Sequence, residues 1–150
     1  IGPMPGAVVL RSDLERKRLY GAGETDKLPQ RAYAAAANER VYAALVDQAC
    51  RILAAGHAVI IDAVFARQAE RDALTTTAKS IGVPPQGLFL TADLPARLAR
   101  IGARTNDASD ATGEVARAQE HYDLGSLDWR RIDASGTPGQ TAARAQAALD

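Results

Sequence analysis

The sequence predicts an α/β fold built around a parallel β-sheet. Four short runs are almost wholly apolar rather than alternating, which is typical of strands buried on both faces. Helical segments separate these runs, and strands that alternate with helices form a parallel sheet through right-handed crossovers. The predicted strands are Ala7–Leu10, Ala58–Ile61, Gly87–Thr91, and Arg130–Ile132 running into Asp133.

The helices are predicted from apolar spacing and from residues that begin or end helices. Residues 30–55 form the longest one, because Val41, Leu45 and Ala49 recur at helical spacing and Gly56 follows as a stop. A short helix over 14–18 follows the first strand. The remaining predicted helices cover 66–80, 94–103 (opening with Pro95), 110–122 and 137–149.

Composition narrows the class of protein. A chain of 150 residues is one domain, and its formal net charge of +0 argues against broad electrostatic binding to nucleic acid or anionic lipid. No run of about 18 apolar residues is present, so no membrane span is expected. Cys50 is the single cysteine, which excludes an internal disulfide and a cysteine-rich zinc site and agrees with a reducing, cytoplasmic location. The opening Ile1-Gly2-Pro3-Met4 lacks an initiator methionine, so we expect a piece of a longer polypeptide.

Two carboxylates follow predicted strands, where ligands bind in open α/β sheets. Asp13 comes after the first strand, and it can orient or deprotonate a hydroxyl while Arg16, one helical turn later, binds phosphate. The alternative is that Ser12 or Asp13 caps the following helix. Asp62 ends the second strand in the manner of a carboxylate that positions magnesium, although such an acid can also simply begin a loop.

Basic residues supply the candidate anion contacts. Arg97, Arg100 and Arg104 share one helix face just before the polar break at 105–109, and such a break between short helices is typical of a lid. Nucleotide phosphates would relieve their mutual repulsion; the alternative is a solvated stripe paired with nearby aspartates. Arg71 could meet substrate or be solvated, and the charged run 15–18 is interpreted as a solvated face.

Small residues follow the last predicted strand. Asp133, Ala134, Ser135 and Gly136 leave room for a flat ligand ring against the backbone, and the alternative is a plain strand-to-helix turn.

Together these features resemble the P-loop kinases of the predicted AAA-type ATP-binding kinase group. That group includes the C-terminal kinase-like domains fused to aminoglycoside-phosphotransferase-like modules. The resemblance rests on 6–13 with 16–21, on 41–45, on 55–65 with Arg71, on Arg104 with 107–111, and on Trp129 with 133–136.

The resemblance implies a three-layer sandwich, one domain over 1–150 with a lid at about 94–122. It implies phosphoryl transfer from Mg²⁺-ATP to a hydroxyl of a small-molecule acceptor, with no metal site made by the protein alone. Asp13 would activate that hydroxyl and Asp62 would lie beside the substrate or metal. Arg16 and Arg71 would contact substrate, Arg100 and Arg104 would hold the phosphates, and Ala134, Ser135 and Gly136 would border the adenine.

The chain departs from this group in two places. Ala63-Val64-Phe65 replaces the more usual Ala-Thr-Phe, and no Gly-x-x-x-x-Gly-Lys-[Ser/Thr] phosphate loop occurs in the 150 residues. In the group that loop follows a central strand, so we expect both upstream, with a possible fused domain, and a gap in the sheet here. The alternatives are a non-catalytic nucleotide-binding or interaction module, and a polynucleotide or toxin-like kinase, against which the neutral charge weighs.

Overall fold

The computed structural model describes residues 6–150. Along the chain lie β1 (Ala7–Arg11), α1 (Ser12–Leu19), a 3₁₀ helix (Gln30–Tyr33), α2 (Ala35–Ala54), β2 (Ala58–Asp62), α3 (Gln68–Ser80), β3 (Leu88–Thr91), α4 (Leu94–Gly102), α5 (Gly113–Gln119), β4 (Arg130–Asp133) and α6 (Pro138–Leu149). The α/β class and all four predicted strands are confirmed.

The four strands form two separate parallel pairs. β1 pairs with β2, with Arg11 opposite Asp62, and β3 pairs with β4, with Thr91 opposite Asp133. Within residues 6–150 no hydrogen-bonded ladder joins one pair to the other. A sheet without a middle strand would divide in this way.

The prediction that the strands are buried on both faces is wrong for this structure. Val8 and Val9 on β1 are 41% and 50% exposed, and Leu90 on β3 is 56% exposed. The reason is geometric: in a two-stranded sheet every strand is an edge, so its apolar side chains have no neighbouring strand on one side.

Helix α2 forms the centre of the packed core. Val41, Leu45 and Ala49 are almost fully buried on the face that α2 turns toward its neighbours α1, β1 and β2. The predicted helix over 30–55 is interrupted at Ala34, whose extended backbone separates the 3₁₀ helix from α2. The predicted helix over 110–122 begins only at Gly113, because the Thr112 hydroxyl accepts a hydrogen bond from the Val115 amide and caps it there.

The charged run at the end of α1 is buried, so its interpretation as a solvated face is wrong for three of its four residues. Glu15 is 6% exposed, and Lys17 is 2% exposed. Their charges are compensated inside the fold: Glu15 accepts hydrogen bonds from Arg18 (2.6 and 2.9 Å) and from Gln48 of α2 (2.8 Å).

An aromatic cluster ties the end of β2 to the start of β4. The Phe65 ring packs edge-on against Tyr42 and Trp129, with ring centroids 5.2 and 5.1 Å away. Phe65 has a left-handed backbone (φ 45°), and its amide donates to the Tyr42 hydroxyl at 3.0 Å. These contacts hold the two strand pairs in one structure. Among residues 6–150 no helix is both long and apolar enough to cross a membrane.

Candidate active site

The carboxyl ends of β1 and β2 bring the two predicted acids to one place. Arg11 and Asp62 are register partners, and Arg11 Nε lies 3.3 Å from Asp62 Oδ2. Asp13 stands two residues further on, in the first turn of α1, close enough for the Asp62 charge to act on it. Two carboxylates and an arginine thus share this edge of the sheet.

Asp13 does not serve as a helix cap. The N-cap residue of α1 is Arg11, and no side chain makes a capping hydrogen bond there. Burial raises the pKa of the Asp13 carboxyl, and the nearby Ser109 side chain together with the charges of Arg11 and Arg16 opposes only part of that rise. A more basic carboxylate is a better proton acceptor, as hydroxyl activation requires.

A polar segment, residues 107–110, lies against these strand ends. Asp107 Oδ1 is 3.7 Å from Arg11 Nη2, and Asp107 Oδ2 is 4.0 Å from Arg104 Nε. Three residues later, Asp110 Oδ1 is 3.4 Å from the buried Lys17 Nζ. The 107–110 segment is therefore attached at both of its ends to β1 and α1.

The acids of this segment are held ionised. A hydrogen bond from the Ser109 amide lowers the pKa of Asp107. Burial raises the pKa of Asp110, but hydrogen bonds from the Tyr33 hydroxyl and the Leu28 amide, with the Lys17 charge, outweigh it and lower the pKa. Sequence reasoning missed the Lys17–Asp110 pair, for which the only signal was that both residues lie in stretches matching the kinase group.

Arg16 is engaged within the fold. Its guanidinium is buried, donates to the Ala32 carbonyl at 2.6 Å, and lies 4.8 Å above the Tyr33 ring. Its charge still acts on Asp13. A direct contact from Arg16 to substrate stays a prediction.

Arg71 is also buried, at 3% exposure, so it is not solvated. Its terminal nitrogens donate to four backbone carbonyls, those of Phe65 (2.7 Å), Ala66 (3.0 Å), Leu124 and Ser126 (2.8 Å). Substrate binding by Arg71 would have to break some of these bonds. In this structure the side chain joins the start of α3 to the loop before β4.

The three arginines of the predicted basic face have separate partners. Arg97 binds Glu120 and Gln119 of the α5 end. Arg100 Nη2 donates to the Gly136 carbonyl at 2.6 Å, and Arg104, beyond the end of α4, faces Asp107. The structure thus joins Arg100 to the predicted adenine loop and Arg104 to the 107–110 segment.

The ends of β3 and β4 frame a cavity of about 660 Å³. The Ala134 amide donates to the Thr91 carbonyl at 2.6 Å, and the Ser135 hydroxyl accepts from the Asp93 amide at 3.1 Å. The residues that line this cavity are Thr91, Ala92, Asp93, Leu94, Pro95, Glu120, Asp133 and Ser135. Carboxylates in this lining suit a ligand that donates hydrogen bonds better than they suit a phosphate.

Parallel strands with acids at their carboxyl ends and a polar segment lying over them define a P-loop NTPase-like α/β fold of the kinase type. Residues 3–122 match the family described as an AAA domain, and the chain belongs to that family.

A solved structure agrees with this assignment of the fold. The chain superposes on a gluconokinase from Sinorhizobium meliloti 1021 with a TM-score of 0.64 and 18% sequence identity, covering 96% of this chain and 77% of that one. At this identity the likeness concerns the fold. No sequence among the curated proteins matches the chain.

Proposed function

We propose that this chain forms the acceptor-binding part of an ATP-dependent kinase domain that phosphorylates a hydroxyl group of a small molecule. The observation that carries the proposal is the strand-end cluster, in which Asp13 and Asp62 lie at one sheet edge with Arg11 paired to Asp62 at 3.3 Å. Kinase catalysis needs a carboxylate that accepts the hydroxyl proton and charged groups that position the reactants.

The burial and charge of the residues at the strand ends suggest a role for each of them in phosphoryl transfer. Asp13, whose pKa is raised by burial, would take the proton of the acceptor hydroxyl. Asp62 has a side chain that is 63% exposed, so its free oxygen can bind Mg²⁺, which proteins usually hold through one or two carboxylates plus substrate phosphates. Arg104, 38% exposed beside Asp107, would hold phosphate charge.

The nucleoside would bind at the other strand pair. The cavity at the ends of β3 and β4 has Ser135 and carboxylates in its lining, which suits the amino and hydroxyl groups of a nucleoside. The buried Ala134 precedes Ser135 in the chain. Arg100, bonded to the Gly136 carbonyl, connects this loop with α4.

Residues 1–150 contain no Gly-Lys-[Ser/Thr] loop, so they lack the loop that binds the nucleotide phosphates in such kinases. We propose that an upstream strand carrying this loop joins the two strand pairs. Backbone N–H groups of the loop would then bind the phosphates at a helix N-terminus.

The test uses the natural full-length protein. Mg²⁺-ATP should raise its melting temperature more than Mg²⁺-AMP does, because only the triphosphate engages a phosphate loop. Asp13→Asn should retain this shift and lose transfer of γ-phosphate by about 100-fold or more. Asp47→Asn, a change in an exposed pair on α2, serves as the control and should transfer normally.

The non-catalytic module remains the second candidate, since the phosphate loop is missing from these residues. Equal melting temperatures with and without Mg²⁺-ATP would favour an interaction module, because a nucleotide-binding module would also be stabilised by the nucleotide. Normal transfer by Asp13→Asn would remove Asp13 from the mechanism.

A further inference from the structure

Two arginines of the strand-end site face the same carboxylate. Arg11 Nη2 lies 3.7 Å from Asp107 Oδ1, and Arg104 Nε lies 4.0 Å from Asp107 Oδ2. Arg11 ends β1 and Arg104 follows α4, so the fold brings them together from distant parts of the chain. Asp107 therefore lies between two guanidinium groups, with one of them at each of its oxygens.

Asp107 attracts these arginines without satisfying their hydrogen-bond donors. Both distances are longer than N–H···O hydrogen bonds, which measure about 2.7–3.2 Å. Within residues 6–150, the Arg11 side chain makes one hydrogen bond, from Nε to Asp62 at 3.3 Å, and the Arg104 side chain makes none. The two arginine side chains are 37% and 38% exposed, so N–H groups of both can still donate to a ligand.

The local charges indicate which ligand this pair of arginines would take. The carboxylates of Asp62 and Asp107 offset the two positive charges. A phosphoryl group carries about −1.5 to −2 charges at pH 7 and pairs with arginine through two parallel hydrogen bonds. Asp13, two residues after Arg11, would repel such a group, and the arginines are the groups that offset this repulsion. A phosphoryl group would therefore gain most from both arginines once Asp107 has turned away from them.

The chain around Asp107 allows this movement. Residues 102–106 before it are exposed, and Asn106 has a left-handed backbone (φ 53°), which asparagine adopts more readily than most residues. The next residue, Ala108, is 7% exposed and belongs to the packed part of the segment. Turning away costs the hydrogen bond that the Ser109 amide donates to Asp107 Oδ1 at 2.8 Å. Only a ligand that binds both arginines more strongly than Asp107 does would displace it.

We propose that Arg11 binds the transferred phosphoryl group together with Arg104, and that this group displaces Asp107 from both arginines. The proposal rests on the proposed function and adds Arg11 and Asp107 to the residues that act on phosphate. Arg11 is bonded to Asp62 and leads directly to Asp13, so it lies on the side of the site where the acceptor hydroxyl meets the γ-phosphate. The two arginines supply positive charge to the phosphoryl oxygens, and Asp107 competes with the phosphoryl group for that charge.

Binding of a nucleotide that is not cleaved tests the role of Arg11. Isothermal titration calorimetry of the natural full-length protein compares Mg²⁺-ADP with the Mg²⁺ complex of β,γ-imido-ATP, which adds the terminal phosphoryl group. Arg11→Gln should weaken binding of the imido analogue about 10-fold or more and leave ADP binding unchanged, because charge-assisted hydrogen bonds to that group are lost. Arg51→Gln, in an exposed pair on α2, is the matched control and should change neither affinity.

Asp107→Asn gives the sharper test, because a gain of affinity is expected. Asparagine keeps the side-chain oxygen that accepts from the Ser109 amide but carries no charge, so the arginines are released while the turn is kept. Affinity for the imido analogue should rise about 3- to 10-fold, the equivalent of removing two partly exposed ion pairs, with ADP binding unchanged. Asp47→Asn, in the exposed pair on α2, is the matched control.

The outcomes separate the two proposals. If the natural protein binds the imido analogue and either Arg11→Gln or Asp107→Asn leaves that affinity unchanged, this inference alone is overturned. Weaker binding by Asp107→Asn also overturns it, since Asp107 would then position the arginines and not compete for them. So does a loss in Arg11→Gln that is equal for ADP and the analogue. Absence of binding of both nucleotides to the natural protein overturns the proposed function and this inference with it.

Discussion

Lys17 Nζ lies 3.4 Å from Asp110 Oδ1 and joins α1 to the 107–110 segment across 93 positions of sequence. The Lys17 side chain is 2% exposed and that of Asp110 is 13% exposed. Few lysines are buried so fully without a carboxylate partner. This pair, with the Arg11–Asp107 pair, attaches the 107–110 segment to β1 and α1.

Replacing Lys17 with methionine should destabilise the fold. The change keeps most of the side-chain volume but leaves Asp110 without its cation, and breaking a buried pair costs about 3–5 kcal/mol. We expect a loss near the lower end, about 3 kcal/mol, because Asp110 keeps its bonds to Tyr33 and Leu28. Chemical denaturation measures the free energy of unfolding.

The matched control for this prediction is Arg51→Met on α2. Arg51 pairs with Asp47 at 3.0 Å, but both side chains are 70% exposed. Exposed pairs contribute about 0–1 kcal/mol, so Arg51→Met should change stability little. Equal losses in the two variants would contradict the importance of the buried pair.

Arg71→Lys should destabilise although the charge is kept. A lysine carries one nitrogen and cannot reach four carbonyls, so at least one of those of Phe65, Ala66, Leu124 and Ser126 loses its donor. Each buried group left unsatisfied costs about 1–3 kcal/mol. Thermal or chemical unfolding measures the loss, with Arg67→Lys at an exposed position as the control. Tolerance of Arg71→Lys would show that these bonds are dispensable and that the guanidinium is free for substrate.

Glu15 should make the protein sensitive to acid. The hydrogen bonds from Arg18 lower its pKa below the ordinary 4.5, with burial opposing and Gln48 assisting. Between that value and the folded-state pKa the unfolded chain binds more protons. The stabilisation is therefore present above about pH 4.5 and is lost as pH falls through the folded-state pKa. Free energies of unfolding from pH 7 to pH 3 should fall less steeply for Glu15→Gln, and parallel curves would argue against this assignment.

The ionisation of Asp13 changes the free energy of unfolding in the opposite direction to that of Glu15. Its pKa is raised above 3.8 by burial, so the folded state is penalised once the carboxyl ionises. As pH rises through the folded-state pKa, stability is lost. Asp13→Asn should accordingly increase the free energy of unfolding at pH 7 and give no gain below pH 3.8. Asp72→Asn, at an exposed position of α3, should change little at either pH. A destabilised Asp13→Asn protein at pH 7 would assign Asp13 a structural role instead.

The strands could be predicted from the sequence because apolar runs and helix-breaking residues are local signals. Once the strands are known, Asp13 and Asp62 can also be placed together, because parallel strands bring their carboxyl ends to one edge of the sheet. The contacts of Lys17 and Arg71 could not be predicted, because Asp110 is 93 positions from Lys17 and two of the four carbonyls that bind Arg71 are more than 50 positions away. A charged run such as 15–18 also looks solvated when it is considered alone. The break at Ala34 carries no signal either, since it lies in an alanine-rich stretch that favours helix.

The two strand pairs have a consequence for folding. The two strands of each parallel pair are joined by their own helical connection. The pairs are linked to each other by side-chain contacts such as that of Phe65 with Trp129. Residues 1–150 should therefore unfold in two steps, with Trp129 fluorescence reporting the loss of the Phe65–Trp129 contact between the pairs. A strand inserted between the pairs would merge the steps into one. The protein would then become a single cooperative unit only together with the phosphate loop that we propose such a strand carries.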